Sequence, residues 1–407
     1  MNILHVNTAG ALVGGVEGYI ADVSATLHQA GHSSFLIHFS SNDSPGLMPD
    51  MRYAPLPEWP APPVEATRII DQVIATFHPD VAYLHAVYHP ALISWIAERL
   101  PTVAYVHGPY PVCPGSAQYL RNSQRVCGHK AGLVCFVNAQ TEHCCWGRSP
   151  LVHRHLLRRV RFFSEAYRQV GAVLVGSRFM QQLMLQGGIP PERLAILPPV
   201  LIQEPLPPLT FSADSRTILF AGRLTPEKGL RSLLQALATI QMDWRLVVAG
   251  EGEEGKPCQD LAARLGVAHK VDFVGWLDHS EMEAQLQDCA CVAIPSLWPE
   301  PYGRVGPEAF VHGRPAVAFA VGGIPDWLED GRSGYLVPPR DTAKLADSLR
   351  TLLASPELRR QMGQHARVTA MVAWDAHAHV DRLSSVFARV QDRENYATSR
   401  DKLSTAL

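Results

Sequence analysis

Short apolar runs rich in valine, isoleucine and leucine alternate along the chain with longer stretches of helical period. Continuous apolar runs of this kind suit strands buried on both faces, and the helical stretches suit crossovers between parallel neighbours. Two series are legible. The first places strands over 2–7, 34–39, 81–85, 103–107, 172–176 and 194–197, with a helix over 16–30 that Gly31 ends. The second places strands over 217–221, 245–249, 271–274, 291–294 and 316–319. Between them, 197–215 is rich in proline, which cannot donate to a ladder, so an extended linker is expected there. The segment 374–390 carries a helical apolar stripe that could pack on either half.

The expected class is therefore α/β: two Rossmann-like, doubly wound parallel sheets over 1–200 and 216–373, a linker over 201–215, and a helical segment over 374–407. A chain of 407 residues agrees, being too long for one comfortable core. Ligands of open parallel sheets bind beyond the carboxyl ends of the strands, so two such domains facing each other would form a cleft lined by strand-to-helix loops.

Composition narrows the function classes. With 47% hydrophobic and 18% charged residues the chain is globular, and a net charge of −2 gives no case for nucleic-acid binding. MNILHVNTAG has neither the basic nor the apolar region of a secretory signal, so a cytoplasmic location is expected. No apolar run approaches the roughly 18 residues of a membrane span, which leaves peripheral contact at most, at the inner face of the membrane. In that setting the eight cysteines read as reduced thiols or metal ligands rather than a disulfide framework.

Two strand-end loops carry candidate chemistry. In SLWPEPYGRVGPE, Pro307 marks a helix start and puts Glu308 in the first turn, with Glu300 in the loop before it. A carboxylate can accept from both hydroxyls of a diol, which suits Glu308 to a ribose and Glu300 to a sugar, while amides near Gly303 and Gly306 could bind phosphate oxygens. Each glutamate alone could equally be a dipole complement or a solvated charge. In GRLTPEKGL, Arg223 follows a strand and Lys228 stands five residues on. Two cations there could neutralise a departing diphosphate, and in the absence of an Asp-x-Asp pair they take the place of a metal.

Together GRLTPEKGL and EPYGRVGPE, with seven residues between the two glutamates of the second, resemble glycosyltransferase family 4, retaining enzymes of the GT-B fold. GGVE near the start, VHG at 106–108, VGSRFM at 175–180, VAGEGEE at 248–254, FVGWL at 273–277 and GGIPD at 322–326 extend the resemblance along much of the chain. It implies that Arg223 and Lys228 bind the donor diphosphate, Glu308 the ribose and Glu300 the transferred sugar. It also implies Gly14 and Gly15 near the sugar phosphate or acceptor, and His107 on the acceptor side. Glu251, Val274, Tyr302, Gly303, Arg304 and Val305 complete the implied donor site. The final helix is implied to cross back to the first domain. The implied reaction needs no cofactor or metal: a UDP-, GDP- or ADP-sugar gives its sugar to a glycan or lipid-linked acceptor in cell-envelope or polysaccharide synthesis. Two positions depart from the family's usual pattern, Asp326 after GGIP and Arg304 after EPYG. Arg304 either tightens donor binding or faces solvent, and solvent is the expected outcome.

Three features stand outside that scheme. GEGEEG, at 250–255, fits the dinucleotide pattern G-x-G-x-x-G, with Asp272 near the place of a ribose acid, and is the basis of a rival oxidoreductase reading. Its three glutamates would crowd a pyrophosphate, and it follows the second strand of its domain rather than the first. An inactive sugar-nucleotide-binding protein is the other rival, and the presence of both glutamates and both cations weighs against it. The insert at about 108–147 holds Cys113, Cys127, Cys135, Cys144 and Cys145 without C-x-x-C spacing; Cys113, Cys127, Cys135 and Cys144 could make a four-ligand zinc site, though packed reduced thiols are the leading account. Finally, RSPLVHRHLLRRVRFF places Arg154, Arg158 and Arg161 near one helical face, suited to solvent or to anionic lipid.

Overall fold

A computed structural model describes residues 1–9, 14–39, 51–53, 64–145, 149–201, 209 and 214–404, with side chains omitted for 51–53 and 393–404. Most of the expected proline-rich linker and Trp146 of the cysteine insert lie outside the described residues. Contacts divide the chain into two units. The first comprises Met1–Ala117, Gly128–Gln203 and Trp374–Leu407; the second comprises Gln118–Cys127 and Glu204–Ala373.

The strands, in chain order, are β1 (Asn2–Asn7), β2 (Ser33–His38), β3 (Met51–Tyr53), β4 (Val81–Leu84), β5 (Thr102–Val106), β6 (Tyr119–Leu120), β7 (Arg125–Val126), β8 (Ala172–Val175) and β9 (Leu194–Ile196). They continue with β10 (Thr217–Ala221), β11 (Arg245–Ala249), β12 (Val271–Gly275), β13 (Cys291–Ile294), β14 (Ala316–Phe319) and β15 (Gly334–Val337). The first unit holds a seven-stranded sheet of order β3-β2-β1-β4-β5-β8-β9 and the second a six-stranded sheet of order β12-β11-β10-β13-β14-β15. Every described pairing in both sheets is parallel, and in each the order reverses direction beside the first strand. That makes each a doubly wound sheet with a switch point, the place where strand-end loops diverge to admit a ligand.

The alternation of burial shows why the strands read as unbroken apolar runs. Leu4, Val6, Ala82, Leu84, Ala104, Val106, Val173 and Val175 enter one core, whereas Ile3, Val81, Tyr83, Val103, Tyr105 and Leu174 enter another on the opposite face. Helix Ala376–Ser404 covers part of this second face with Val380, Leu383, Phe387 and Val390, spaced at three and four residues and buried to 3% exposure or less. Each fully buried large side chain of this stripe contributes about 1.5–3 kcal/mol relative to exposure. At Gly171 a Cβ would stand 2.2 Å from Val390, so the close approach of that helix depends on glycine. In the second unit Ile218, Leu219 and Phe220 are consecutive and all buried, the mark of a strand covered on both faces.

The strands expected from periodicity agree with those observed to within a residue or two at either end. Four short ones are additional: β3, β15, and the antiparallel pair β6–β7 within the cysteine insert. That pair groups with the second unit although both of its chain neighbours belong to the first.

Candidate active site

The second unit builds its candidate site from three loops at the carboxyl ends of β10, β11 and β13. The turn Pro226–Lys228 follows β10 and ends at Gly229, whose φ is +73°. A Cβ there would lie 1.9 Å from the carbonyl oxygen of Pro295, so glycine lets this turn press against the loop after β13. The amide of Leu297 then donates to the Glu227 carbonyl at 2.8 Å. These backbone contacts hold Lys228 where its Nζ donates to Glu300 Oε1 at 2.7 Å, across 72 residues of sequence. Ser296 Oγ donates to the same oxygen at 2.6 Å, and Lys228 Nζ lies 5.4 Å from the centre of the Trp298 ring.

Glu300 is 5% exposed. Burial alone would raise its carboxyl, but the Lys228 charge, followed by the hydrogen bonds from Lys228 and Ser296, outweighs it and holds the group below its usual value. The result is a buried carboxylate with one oxygen committed to a cation and a hydroxyl. Its backbone is fixed too: Gly323 donates to the Glu300 carbonyl at 2.7 Å, and a Cβ on Gly322, φ +57°, would sit 2.1 Å from that same oxygen. The GGIPD turn is therefore a rest for the backbone of Glu300.

Glu308 lies in the first turn of helix Val305–Val311, as the position of Pro307 leads one to expect. Arg304 does not face solvent: its Nε donates to Glu308 Oε1 at 3.2 Å and its side chain is 20% exposed, because the helical spacing of four residues brings the two together. The expected role of Gly306 also changes. Its amide donates to the Gly303 carbonyl at 3.2 Å and so is engaged within the turn, and a Cβ there would fall 2.0 Å from the Trp327 ring. Glycine at 306 serves the packing of that helix on Trp327, whose Nε1 donates to the Tyr302 carbonyl at 2.7 Å. Tyr302 is buried, Gly303 (φ +84°) and Val305 are half-buried, and Arg223 is exposed with no ion-pair partner among the described residues.

GEGEEG has a structural employment. Leu224 donates to the Glu251 carbonyl and Glu254 to the Leu224 carbonyl, both at 2.8 Å, and Cβ atoms on Gly250 and Gly252 would strike the carbonyls of Gly222 and Leu224 at 2.0 and 2.4 Å. These glycines let two backbones touch, the loop after β10 and the loop after β11. Glu254 pairs with Arg231, and Asp272 with Arg245 at 2.7 Å. The Glu251 side chain, Val274 and Trp276 are exposed at the ends of β11 and β12, Trp276 to 62%. Trp276, Ser296 and Trp298 were not singled out in the sequence; their position beyond strand ends was the available signal.

In the first unit, Gly14 and Gly15 open helix Gly15–Gln29, while residues 10–13 of the same loop lie outside the described set. Glu17 is buried and accepts from Asn7 Nδ2 at 3.2 Å. His107 lies just beyond β5, at the end of a chain of imidazoles: His5 Nδ1 is 3.1 Å from His85 Nε2, and His85 Nδ1 is 3.3 Å from His107 Nε2. Burial lowers His5 to about 3 and, with the neighbouring rings, holds His85 well below the usual range. Neutral rings can pass hydrogen bonds along such a chain, each donating at one nitrogen and accepting at the other.

The four-cysteine grouping needs correction. Among the described residues no set of three or more His, Cys, Asp or Glu side chains is arranged to hold a metal ion. Cys127 ends the β6–β7 hairpin, and it is Cys145 that joins Cys113, Cys135 and Cys144, with Cys144 Sγ 3.8 Å from Cys145 Sγ. The hydrogen bond with Cys144, then burial, then the neighbouring thiols push Cys145 up, so it stays protonated.

Comparison with known proteins agrees with this architecture. Residues 13–201 match a family model described as Glycosyltransferase Family 4, and residues 204–369 match one described as Glycosyl transferases group 1. Sucrose-phosphate synthase from Thermosynechococcus elongatus superposes with a TM-score of 0.72 at 18% identity, covering 98% of this chain and all of that one. The fold is that of the GT-B glycosyltransferases. The Anabaena protein HepE in complex with UDP-glucose gives a TM-score of 0.69 at 20% identity, covering 95% of this chain and 99% of that one. Among curated proteins, an alpha-D-kanosaminyltransferase of Streptomyces kanamyceticus is 29% identical over 180 residues, 44% of this chain and 46% of its own length. A D-inositol 3-phosphate glycosyltransferase of Corynebacterium efficiens is 34% identical over 190 residues, 44% of each chain. The match thus spans less than half the length of these curated relatives.

Proposed function

We propose that this GT-B chain is a retaining glycosyltransferase of family 4 that moves a sugar from a nucleoside diphosphate to a hydroxyl of a glycan or lipid-linked acceptor, in the cytoplasm and without a metal. The observation that carries the reading is the buried Glu300 carboxylate held by Lys228 and Ser296 at the strand ends of the second unit. An ordinary structural ion pair gains little from such burial, whereas a site that must meet a sugar and a diphosphate needs a carboxylate and a cation side by side. In the proposed step the bond from the sugar's anomeric carbon to the β-phosphate oxygen breaks. The acceptor oxygen bonds to the same carbon on the same face, and its proton passes to the departing phosphate. Lys228 and Arg223 neutralise the charge that builds on the diphosphate, Glu300 orients sugar hydroxyls, Glu308 takes the ribose, and exposed Trp276 offers a face for the base.

HepE is described with UDP and with UDP-glucose, which favours a uridine donor without excluding GDP or ADP sugars here. Screening UDP, GDP and ADP with their glucose or mannose conjugates by thermal denaturation tests the reading. At a hundred times its dissociation constant the right nucleotide stabilises the native state by about 2.7 kcal/mol, raising the melting temperature of a unit this size by roughly 5–10 °C. The rise should survive EDTA. A flat response to all of them would remove the proposal.

The acceptor reading draws on helix Pro150–Tyr167, which anchors His153, Phe163, Ala166 and Tyr167 in the first unit while Arg154, Arg158 and Arg161 stay exposed beside exposed Leu151 and Val152. No helix among the described residues is long and apolar enough to cross a membrane. Binding to vesicles containing anionic lipid, absent with zwitterionic vesicles and lost on replacing the three arginines by glutamine, is the expected result. Equal binding to both vesicle types would exclude electrostatic docking.

A further inference from the structure

The hairpin β6–β7 departs from the first half of the sequence yet packs as part of the second unit. Its strands pair through Tyr119 with Val126 and Leu120 with Arg125, and the Cys127 amide closes it on the Gln118 carbonyl at 2.7 Å. Arg340, in the loop after β15 and at φ +72°, donates through Nη1 to the Ser123 carbonyl at 3.2 Å. The turn of the hairpin is thereby fastened to the loops at the carboxyl ends of the second sheet.

Tyr119 is the part of this hairpin that packing does not explain. Its side chain is 4% exposed, and its hydroxyl has no hydrogen-bond partner among the described residues. Leaving a buried hydroxyl unsatisfied costs about 1–3 kcal/mol, and phenylalanine would fill the same space without that cost. Charged groups surround the phenol: Glu227, the residue before Lys228, together with Arg340 and Arg121. Burial first, and then the Glu227 carboxylate, push the phenol up to about 12, so it is a neutral group that both donates and accepts. A neutral hydroxyl does little for a phosphate that already has Arg223 and Lys228. It matches a sugar hydroxyl well.

We propose that Tyr119 is a sugar-recognition residue of the donor site, carried by the hairpin to the turn that bears Glu227 and Lys228, and that its hydroxyl meets a hydroxyl of the transferred sugar. This rests on the nucleotide-sugar reading given above. The hairpin then adds to Glu300 a second contact with the sugar, in a site whose other parts recognise the nucleotide, and a polar group that is unpaired in the free protein becomes paired on binding. A site built to pair with a substrate hydroxyl discriminates strongly against a ligand that lacks it.

The test compares wild type with Tyr119→Phe by titration of UDP, GDP and ADP and of UDP-glucose, GDP-mannose and ADP-glucose. The nucleoside diphosphate that binds wild type should bind the variant within about twofold. The matching nucleotide sugar should bind the variant about 5- to 50-fold more weakly, with an unchanged or slightly raised melting temperature. If the sugar conjugate binds both proteins alike and only the melting temperature rises, Tyr119 is a packing residue and the inference fails while the nucleotide reading stands. If wild type binds none of the six compounds, both fall. An equal loss for nucleotide and nucleotide sugar would also overturn the assignment to the sugar, since the hydroxyl would then act on the shared part of the ligand.

Discussion

Lys228→Ala should lower kcat/KM for the donor by about 10²- to 10³-fold, the scale on which removing one preorganised charge from a leaving-group site is felt. The same change strands Glu300. With Lys228 gone, the buried carboxylate keeps its Ser296 and Trp298 contacts but no cation, and the burial that Lys228 now outweighs would push the carboxyl back toward the neutral form. A second variant separates the two consequences. In Glu300→Gln the amide oxygen can still accept from both Ser296 and Lys228, but the negative charge that Lys228 pairs with is gone. Donor affinity should then hold within about threefold while kcat falls by about 10²-fold or more, since the lost carboxylate acts on the sugar rather than on the diphosphate. Because the pair is in direct contact, the double variant should be non-additive. Steady-state kinetics with donor varied at fixed acceptor would check all three. Values within threefold of wild type for both single variants would sink the assignment of this pair to the chemistry.

What could be read in advance follows from the range of each interaction. Strand position and type depend on runs of four to six residues, and the buried β10 run ILF announces itself without any neighbour. The positions of Arg223, Lys228 and Glu300 were legible for the same reason, since each stands two to seven residues past a strand, and that of Glu308 from Pro307 in the first turn of its helix. The direct bond between Lys228 and Glu300 was not legible, because it depends on Gly229 pressing on Pro295 and on Gly322 supporting Glu300, contacts made across tens of residues. Arg304 went astray for a local reason. Read as a loop residue it could face solvent, but it is the residue before a helix, four positions from Glu308, and that spacing makes a pair. The hairpin β6–β7 offers only two residues per strand, too few for an alternation to register, and its assignment to the second unit is a property of docking alone. GEGEEG shows the converse: a pattern of glycines can match a phosphate-binding fingerprint and be used instead for contact between two backbones.

The histidine chain of the first unit is the least local of these features and has a consequence for stability. His5 is lowered to about 3 and His379 to about 4, both chiefly by burial, and His85 lies well below its usual value, whereas all three return to about 6.5 on unfolding. Between pH 6.5 and about 4 the unfolded chain therefore binds protons that the folded chain refuses, so stability must fall as pH is lowered through this window. The loss levels off only where the native rings themselves protonate, near pH 3–4. At pH 5, relative to pH 7.5, His5 and His379 each cost about 2 kcal/mol by linkage, and His85 adds to the loss in the same direction. Urea unfolding at pH 7.5 and pH 5 should show a large drop in midpoint, and His5→Gln should recover about 2 kcal/mol of the lost stability. Glutamine carries no titrating group yet can still hydrogen-bond to His85 Nε2, so the variant removes the proton linkage while preserving the contact. The same variant bears on activity, because His85 also reaches His107: its kcat at neutral pH should change little if His85 keeps its orientation. A midpoint that is flat between the two pH values would mean that the imidazoles titrate in the folded protein, and that the chain from His5 to His107 is not held neutral by burial.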